Sequence, residues 1–554
     1  MARERMSGVD HAWLRMDSPR NLMMIVGVWI LDQPLGADEF GRRLRERLLR
    51  FDRFRQKIVP EATGAWWVDD DDFRLERHLR SVRLPAPGGE EELRALVGRL
   101  ASRPLDSRHP LWQFHLVEGF EGGTALVLRI HHCIADGVAL VRVALSLTDD
   151  ASDLVADPIA TAAHPAHAAA LPADEADEAD EADRRAATDE AGDPEEPEHE
   201  DLHVLENLLG PLAEGAVRAA KAAGAALGAS AELVGDEDAR RGLLAALPKA
   251  AGDAMRIALM TQDSHTALKG RPGGRKRVAW NTPLPLPEVK AVCKVLGVSV
   301  NDVLLSCVAG ALQRYLEGQG ERTQGEELRA MVPVNLRPLD EPLSLGNRFG
   351  LVPLTLPVGI ANPIERLYEV RRRMDELKGG YQGPIAYGVL AALGAAPRPA
   401  QKLVLDYLAS KGTAVMTNVP GPRAPIGILG RRIDRMMFWV PQSGDIGLGV
   451  SILSYGPGVE FGVIADTRIC PEPQRIIDEF HPEFERLLLT LSMLPRELVQ
   501  SGRLDPAEVE RRLLGMEPRR APAKRRAPAK RRAPAKRRRA TAAAPIRRRG
   551  ASGG

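Results

Sequence analysis

Two adjacent histidines, His131 and His132, close an apolar run, and Asp136 and Gly137 follow them, in the stretch "LVLRIHHCIADGVALVRVAL" at 126–145. In a 554-residue chain with only 12 histidines, an HHxxxDG pattern arises by chance on the order of once in a thousand chains. Neutral histidine is a base near physiological pH, and its protonated form can then act as an acid. That suits transfer of an acyl group from a thioester to a hydroxyl or an amine. An alcohol is a poor nucleophile until a base takes its proton, and a thiol with a pKa near ~8.5 leaves readily. No covalent enzyme intermediate is then required. Adjacent side chains of an extended segment point to opposite faces, so if one histidine of the pair faces a cleft the other faces the packed side. The pair is therefore a poor metal site. Cys133 should share the side of His131, which makes it a weak candidate nucleophile. The plain alternative is two histidines that cap a strand end.

The elements around the motif give it a place. "TALVLRI" (124–130) reads as a buried strand and "GVALVRVALSLT" (137–148) as the helix that leaves it. The motif then sits on a strand-to-helix turn, where working side chains concentrate. Upstream, "NLMMIVGVWIL" reads as a strand rather than a signal peptide, because Asp10 and Asp17 precede it and no small-residue cleavage site follows. "GADEFGRRLRERLLRF" has helical spacing through Phe40, Leu44, Leu48 and Phe51. Residues 1–150 thus form one α/β lobe. A second lobe spans 275–500, with a helix at 301–316, a strand at 328–336, a helix at 363–378, a strand pair turning at "YGPG", and a closing helix "PQRIIDEFHPEFERLLLTL". Residues 201–274 read as a helical connector whose Leu205, Leu208, Leu209, Leu212 and Ala216 share a packing face.

Composition bounds the rest. A hydrophobic content of 44% allows a substantial core, and the absence of 18 consecutive apolar residues argues against a membrane span. Four cysteines without CxxC spacing suggest reduced thiols in a cytoplasmic protein. The near balance of 76 basic and 75 acidic residues hides two blocks. The linker at 151–200 opens an acidic run that places 15 Asp and Glu between Asp174 and Asp201, against Arg184 and Arg185. A basic tail at 515–554 carries 15 Lys and Arg with no acid after Arg519, and includes three copies of "APAKRR". Neither block can bury enough apolar surface to order itself. The tail suits an anionic membrane or lipid-body surface, at about 1 kcal/mol per basic residue. It also suits sequence-blind nucleic-acid binding, or folding back on the acidic linker.

The HHxxxDG motif (His131–Gly137) resembles that of the coenzyme-A-dependent acyltransferase superfamily, which includes chloramphenicol acetyltransferases and peptide-synthetase condensation domains. The surrounding sequence more specifically resembles the bacterial wax ester synthase/diacylglycerol acyltransferases. "PLDSRHPLWQFHLVEG" (104–119) looks like that family's PLW region, with Pro110, Leu111 and Trp112 in place, and "NDVLLSCVAGALQRYL" like its ND helix, opened by Asn301 and Asp302. "VPVNLRP", "GNRFG", "TNVPGP", "SILSYGPGVEFGVIAD" and the opening "MSGVDHAWLRMDSP" fall in the expected order. The resemblance covers about 7–150 and 200–500.

The resemblance implies an α/β fold of two chloramphenicol-acetyltransferase-like lobes with a tunnel between them. It implies an O-acyltransferase that moves a fatty acyl group from acyl-CoA, a co-substrate, to a long-chain alcohol or diacylglycerol, with no cofactor or metal. His132 would be the general base and His131 a supporting residue. Asp136 is structural in this reading, pairing with an arginine for which Arg337 is the candidate, and Gly137 lets the backbone turn tightly. Asn301 is either an oxyanion donor or positioning group, or simply a helix N-cap. Pro110 and Trp112 shape the wall near the motif, and Gly346, Asn347, Phe349 and Gly350 support a turn flanking a strand. Gln113 departs from the family's usual Glu, and the linker and tail lie outside its pattern. The enzyme would be cytoplasmic and peripheral to the inner membrane or lipid bodies. The rival readings are an acyltransferase of the same fold acting on an amine or carrier-bound substrate, and a non-catalytic scaffold tethering lipid bodies to nucleic acid through the tail.

Overall fold

The alternation of large apolar side chains around 24–31 and 123–131 builds the centre of the first lobe. A computed structural model describes residues 3–61, 64–149, 260–337, 345–378, 382–396 and 398–493. The acidic linker, the Leu205–Ala216 stripe and the basic tail lie outside these residues. The chain opens with β1 (Arg3–Arg5), α1 (Gly8–Met16), β2 (Met24–Leu31), α2 (Ala37–Arg47), β3 (Gln56–Glu61) and β4 (Gly64–Asp69). It continues through α3 (Leu75–His78), β5 (Leu79–Arg83), α4 (Glu90–Ala101), β6 (Trp112–Phe120), β7 (Gly123–His131) and α5 (Gly137–Ser146). Strands β2 and β6 flank β7, both antiparallel to it, and β5 adds to β6 in parallel. Because strand side chains alternate, the sheet has two distinct faces. Val26, Val28 and Ile30 pack with Leu93, Leu96 and Val97 of α4. Trp29, Leu126 and Leu128 pack with Leu140 and Val143 of α5 on the other face.

The second lobe holds a seven-stranded sheet. After β8 (Lys276–Trp280) and β9 (Leu284–Pro285) come β10 (Leu328–Asn335), β11 (Phe349–Leu356) and β12 (Ala414–Pro420). The short β13 (Gly427–Ile428) and the long β14 (Arg431–Trp439) follow, and the hairpin β15 (Leu448–Tyr455) and β16 (Gly458–Asp466) ends the strands. The sheet order is β11-β10-β12-β15-β16-β8, with β9 beside β16. Helices Leu286–Leu296, Val300–Gly318, Pro363–Lys378 and Gln474–Ser492 supply side chains to one core against this sheet. The Val300–Gly318 helix is buried around most of its circumference, which is why its sequence is apolar on every side. Among the described residues, no single helix is long and apolar enough to cross a membrane.

Three features depart from the sequence reading. The second lobe is not a continuous 275–500 unit, because β13 and β14 leave it and join the first lobe's sheet, with β14 antiparallel to β2. Without that partner β2 would be an edge of unpaired N–H and C=O groups. The described part of the connector, 260–274, is not helical; its Asp263 carboxylate instead accepts from the backbone of Arg329 and the hydroxyl of Thr413. Finally, α1 and the helices Gln382–Ala395 and Arg398–Ser410 were not anticipated.

Candidate active site

The end of β7 fixes the two histidines in opposite directions. The backbone N–H of His131 donates to the Leu111 carbonyl at 2.9 Å and that of His132 to the Met23 carbonyl at 2.7 Å. The His131 ring stays on the packed side, where Nδ1 accepts from the N–H of Cys133 at 3.2 Å and Nε2 lies 3.8 Å from Asp17. His132 takes the other side and lines a cavity. Cys133 is fully buried and burial pushes its thiol well above the ordinary value; it does not line the cavity.

The His132 ring is held on three sides. It stacks on Trp13 of α1, with centroids 4.4 Å apart, and leans on Phe349 of β11 at 5.3 Å. Its Nδ1 lies 2.9 Å from Oδ1 of Asn347. The Asn347 nitrogen donates to the Asp10 carboxylate and to the His132 carbonyl, both at 2.8 Å. Both of those partners can only accept, so the carboxamide orientation follows from the network. Nδ1 of His132 must then carry the hydrogen, and Nε2 keeps its lone pair. Burial pushes the His132 pKa down to about 4, partly offset by the Asp136 charge and the Asn347 hydrogen bond. The ring is therefore a neutral base at neutral pH.

Asp10 is anchored in turn. It accepts from the Asn347 backbone N–H at 3.0 Å, and Ser7, whose hydroxyl caps α1, accepts from the Asp10 N–H at 3.1 Å. Burial raises the Asp10 pKa, opposed by its hydrogen bonds to Asn347 and Ser7. Helix α1 packs closely on Gln382–Ala395, where a Cβ on Gly394 would overlap the Gly8 carbonyl, and His11 Nδ1 sits 2.9 Å from the Gly394 carbonyl. The carboxylate is thus set by a helix crossing far from it in sequence.

The rest of the motif is stitched to the 346–348 segment. Asp136 caps α5 by accepting from Ala139 N–H at 2.8 Å. Its second oxygen accepts from Arg337 and from the Arg348 N–H, each at 3.1 Å. Gly346 donates to the Ile134 carbonyl and accepts from the Asp136 N–H. Its φ of +108° needs a glycine. The expectation for Gly137 is corrected: it begins α5 without a positive φ, and a Cβ there would meet open space. Gly137 leaves room in the cavity rather than enabling a tight turn.

Other candidates stand further off. Pro110, Leu111 and Trp112 do not line the cavity, although Pro110 and Trp112 were expected to shape the wall near the motif. Leu111 holds the end of β7, and Trp112 lies in the first lobe's core, donating from Nε1 to the Phe54 carbonyl at 2.9 Å. Gln113 accepts from Arg129 at 2.9 Å and does not reach the histidine. The N-cap reading of Asn301 fails, because Ser299 caps the helix and Asp302 completes a capping box with it. Asn301 also does not line the cavity, so direct oxyanion contact is not supported. Its carboxamide accepts from Asn418 at 2.9 Å, and Asn418 is the residue that reaches the cavity.

The cavity encloses about 390 Å³ and draws its wall from both lobes. Ile25, Leu128, Ile130 and Val141 come from the first, and Phe349, Thr417, Asn418 and Leu453 from the second. Sequence reasoning missed Asp10, Trp13 and Asn418. The first two lie in "VDHAW" and the third in "TNVPGP", stretches whose family likeness was visible while the role of each side chain was not. Among the described residues, no group of three His, Cys, Asp or Glu could hold a metal ion.

Comparison with known proteins bears on family and fold. Residues 6–304 match the model for the wax ester synthase/diacylglycerol acyltransferase catalytic domain, and 345–488 match that for the C-terminal domain of the same family. A Mycobacterium tuberculosis protein named "Probable diacyglycerol O-acyltransferase tgs1" is 30% identical over 461 residues, which are 81% of this chain and 88% of that protein. The solved wax ester synthase/diacylglycerol acyltransferase from Marinobacter aquaeolei superposes with a TM-score of 0.58 at 21% identity, covering 88% of this chain and 100% of that one. A condensation domain of the CDA synthetase shares the fold at a TM-score of 0.50 and 16% identity, over 91% of this chain and 97% of its own. With the family models spanning both lobes and the motif, the chain belongs to the wax ester synthase/diacylglycerol acyltransferase family.

Proposed function

We propose that this acyltransferase moves a fatty acyl group from acyl-CoA to a long-chain alcohol or diacylglycerol, with His132 as general base. The observation that carries the proposal is the fixed tautomer of His132, with Nδ1–H held by Asn347 and the Nε2 lone pair left for the cavity. The acceptor hydroxyl gives its proton to Nε2 as its oxygen attacks the thioester carbonyl. The tetrahedral intermediate collapses by breaking the C–S bond, and the leaving coenzyme A thiolate takes the proton back from the imidazolium. A positioned base of this kind contributes roughly 10²–10⁴-fold. The chemistry needs acyl-CoA as co-substrate and no resident cofactor or metal. Asp136, Arg337 and the 346–348 segment keep the loop rigid under the ring.

The apolar wall supports a lipid acceptor over a small polar one. The 15 Lys and Arg from Arg519 onward support a cytoplasmic enzyme docked on an anionic membrane or lipid-body surface. Flotation of the full chain with anionic and neutral vesicles, beside a variant lacking 515–554, tests the docking. Nucleic-acid competition in the same assay separates the two partners of the tail.

The test of the chemistry is thiol release from palmitoyl-CoA by the purified protein, with hexadecanol and dioleoylglycerol offered separately. Acceptor-dependent release that disappears in His132→Ala is expected. Release that survives His132→Ala would place the base elsewhere, and no release with either acceptor would favour an amine acceptor or a scaffold.

A further inference from the structure

The second lobe's sheet is nearly cut in two. β10 pairs with β11 along all eight of its residues, and β12 pairs with β15 along all seven of its own. Between β10 and β12 only two pairs form, Ala330 with Ala414 and Met331 with Val415, although β10 runs on to Asn335 and β12 to Pro420. Backbone groups alternate between the two edges of a strand. The Leu336 N–H donates to the Arg348 carbonyl beside β11 at 3.0 Å, so Pro333 and Asn335 present their groups on the other edge, towards β12. The Thr413 N–H donates to the Arg329 carbonyl at 2.9 Å, so Val415, Thr417 and Val419 present theirs towards β10. After Met331 the next residue of β10 to face β12 is Pro333, which has no N–H to donate. There the two ribbons part.

The split opens into the cavity, which Pro333, Asn335, Thr417 and Val419 all line. Asn335 lies opposite Phe349, whose ring leans on His132. Side chains also alternate across a sheet, and Asn418, on the other face from Thr417, lines the cavity as well. The cavity therefore reaches through the sheet. On the far face Asn418 and Val334 are exposed, and Asn301 accepts from the Asn418 amide at 2.9 Å. On the near face Thr417 is 5% exposed, and its hydroxyl has no hydrogen-bond partner among the described residues.

The side chains around this opening are largely apolar, but the edges of the parted strands carry N–H and C=O groups with no strand to meet. Such groups need partners, and an alkyl chain supplies none. Pantetheine, the arm of coenzyme A, is thin and extended and carries two secondary amides, so it can pair with a strand edge as a peptide does. We infer that the gap between β10 and β12 is a window through the second lobe's sheet that admits the pantetheine arm of acyl-CoA, with the thioester delivered to His132. The inference rests on the acyl-transfer reading above. The Asn301–Asn418 amide pair marks the outer rim, where the nucleotide end stays in solvent, and the Thr417 hydroxyl meets an amide of the arm.

The experiment gives the full chain thioesters that share a palmitoyl group and differ in the thiol: ethanethiol, with no amide, N-acetylcysteamine, with one, and pantetheine, with two. In the parent kcat/KM should climb along that series by on the order of 10–100-fold, the worth of two or three net hydrogen bonds. Thr417→Leu narrows the window from within, and Asn418→Trp covers its exposed rim and should melt with the parent. Both should flatten the series, while the hexadecanol-to-butanol ratio of kcat/KM with one fixed donor should not move. A flat series in the parent, or a climb that survives both substitutions, would overturn the inference. So would a change confined to the alcohols, which would give the window to the acceptor. Calorimetric binding of S-hexadecylpantetheine, a thioether that cannot react, reads the window without turnover. Its affinity should fall about tenfold in Asn418→Trp, even if the parent acylates neither acceptor, and equal affinity in parent and variant would overturn the window.

Discussion

Asn347 places its carboxamide oxygen 2.9 Å from Nδ1 of His132, and its nitrogen reaches Asp10 at 2.8 Å. One amide thereby joins an N-terminal helix, the first lobe's histidine and the second lobe's loop. Removing it in Asn347→Ala should free the ring to adopt either tautomer and lower kcat by about 10–100-fold, the usual cost of losing a group that orients a working histidine. Steady-state kinetics should show the loss in kcat with KM little changed.

The acidity of His132 offers a separate check. The reactive form is the neutral one, and burial holds the pKa at about 4. In the free enzyme kcat/KM should rise with pH through about 4 and be level by neutrality. Asn347→Asp puts a carboxylate against Nδ1–H, which favours the imidazolium, so the acid limb should move to higher pH. An acid limb at the ordinary histidine value in the parent would contradict the buried ring.

Asp136 and Arg337 form a pair with both side chains under 5% exposed. Arg337→Ala leaves the carboxylate buried without its charged partner, which costs about 3–5 kcal/mol. Urea unfolding should register that loss as a lower midpoint. Asp136→Asn, which removes the charge but keeps an N-cap side chain, should be the milder substitution.

Stability itself should depend on pH through the buried histidines, two of them above all. His115 in the first lobe's core and His132 are both pushed down to about 4, chiefly by burial. Between about 6.5 and 4 the unfolded chain binds protons that the folded one refuses, so stability is present above 6.5 and lost as the pH falls towards 4. Each group contributes on the order of 3 kcal/mol. Urea midpoints taken from pH 7 to pH 4.5 should fall accordingly, and His115→Gln should flatten the slope.

The motif, its strand-to-helix setting, the two-lobe α/β plan and the closing hairpin were legible because each is written in local periodicity and in an ordered set of short motifs. What the sequence concealed depends on contacts between distant residues. Asp10 reaches the site only because α1 crosses a helix almost four hundred residues later, at Gly8 and Gly394. In the sequence alone Asn301 is open between an oxyanion or positioning role and an N-cap, the latter because helix starts favour Asn, but the capping box of Ser299 and Asp302 begins the helix earlier. The Gly137 expectation came from general glycine behaviour, and the φ at that position does not call on it.

Strand β14 departs from the second lobe to complete the first lobe's sheet, and Asn347 comes from the second lobe to orient the first lobe's base. The first half of the polypeptide lacks two strands of its own sheet and the group that orients its base. Split between residues 150 and 259, the chain becomes a complementation pair: each fragment alone should be inert and prone to associate through its open edge, and turnover should return only when the two are expressed together.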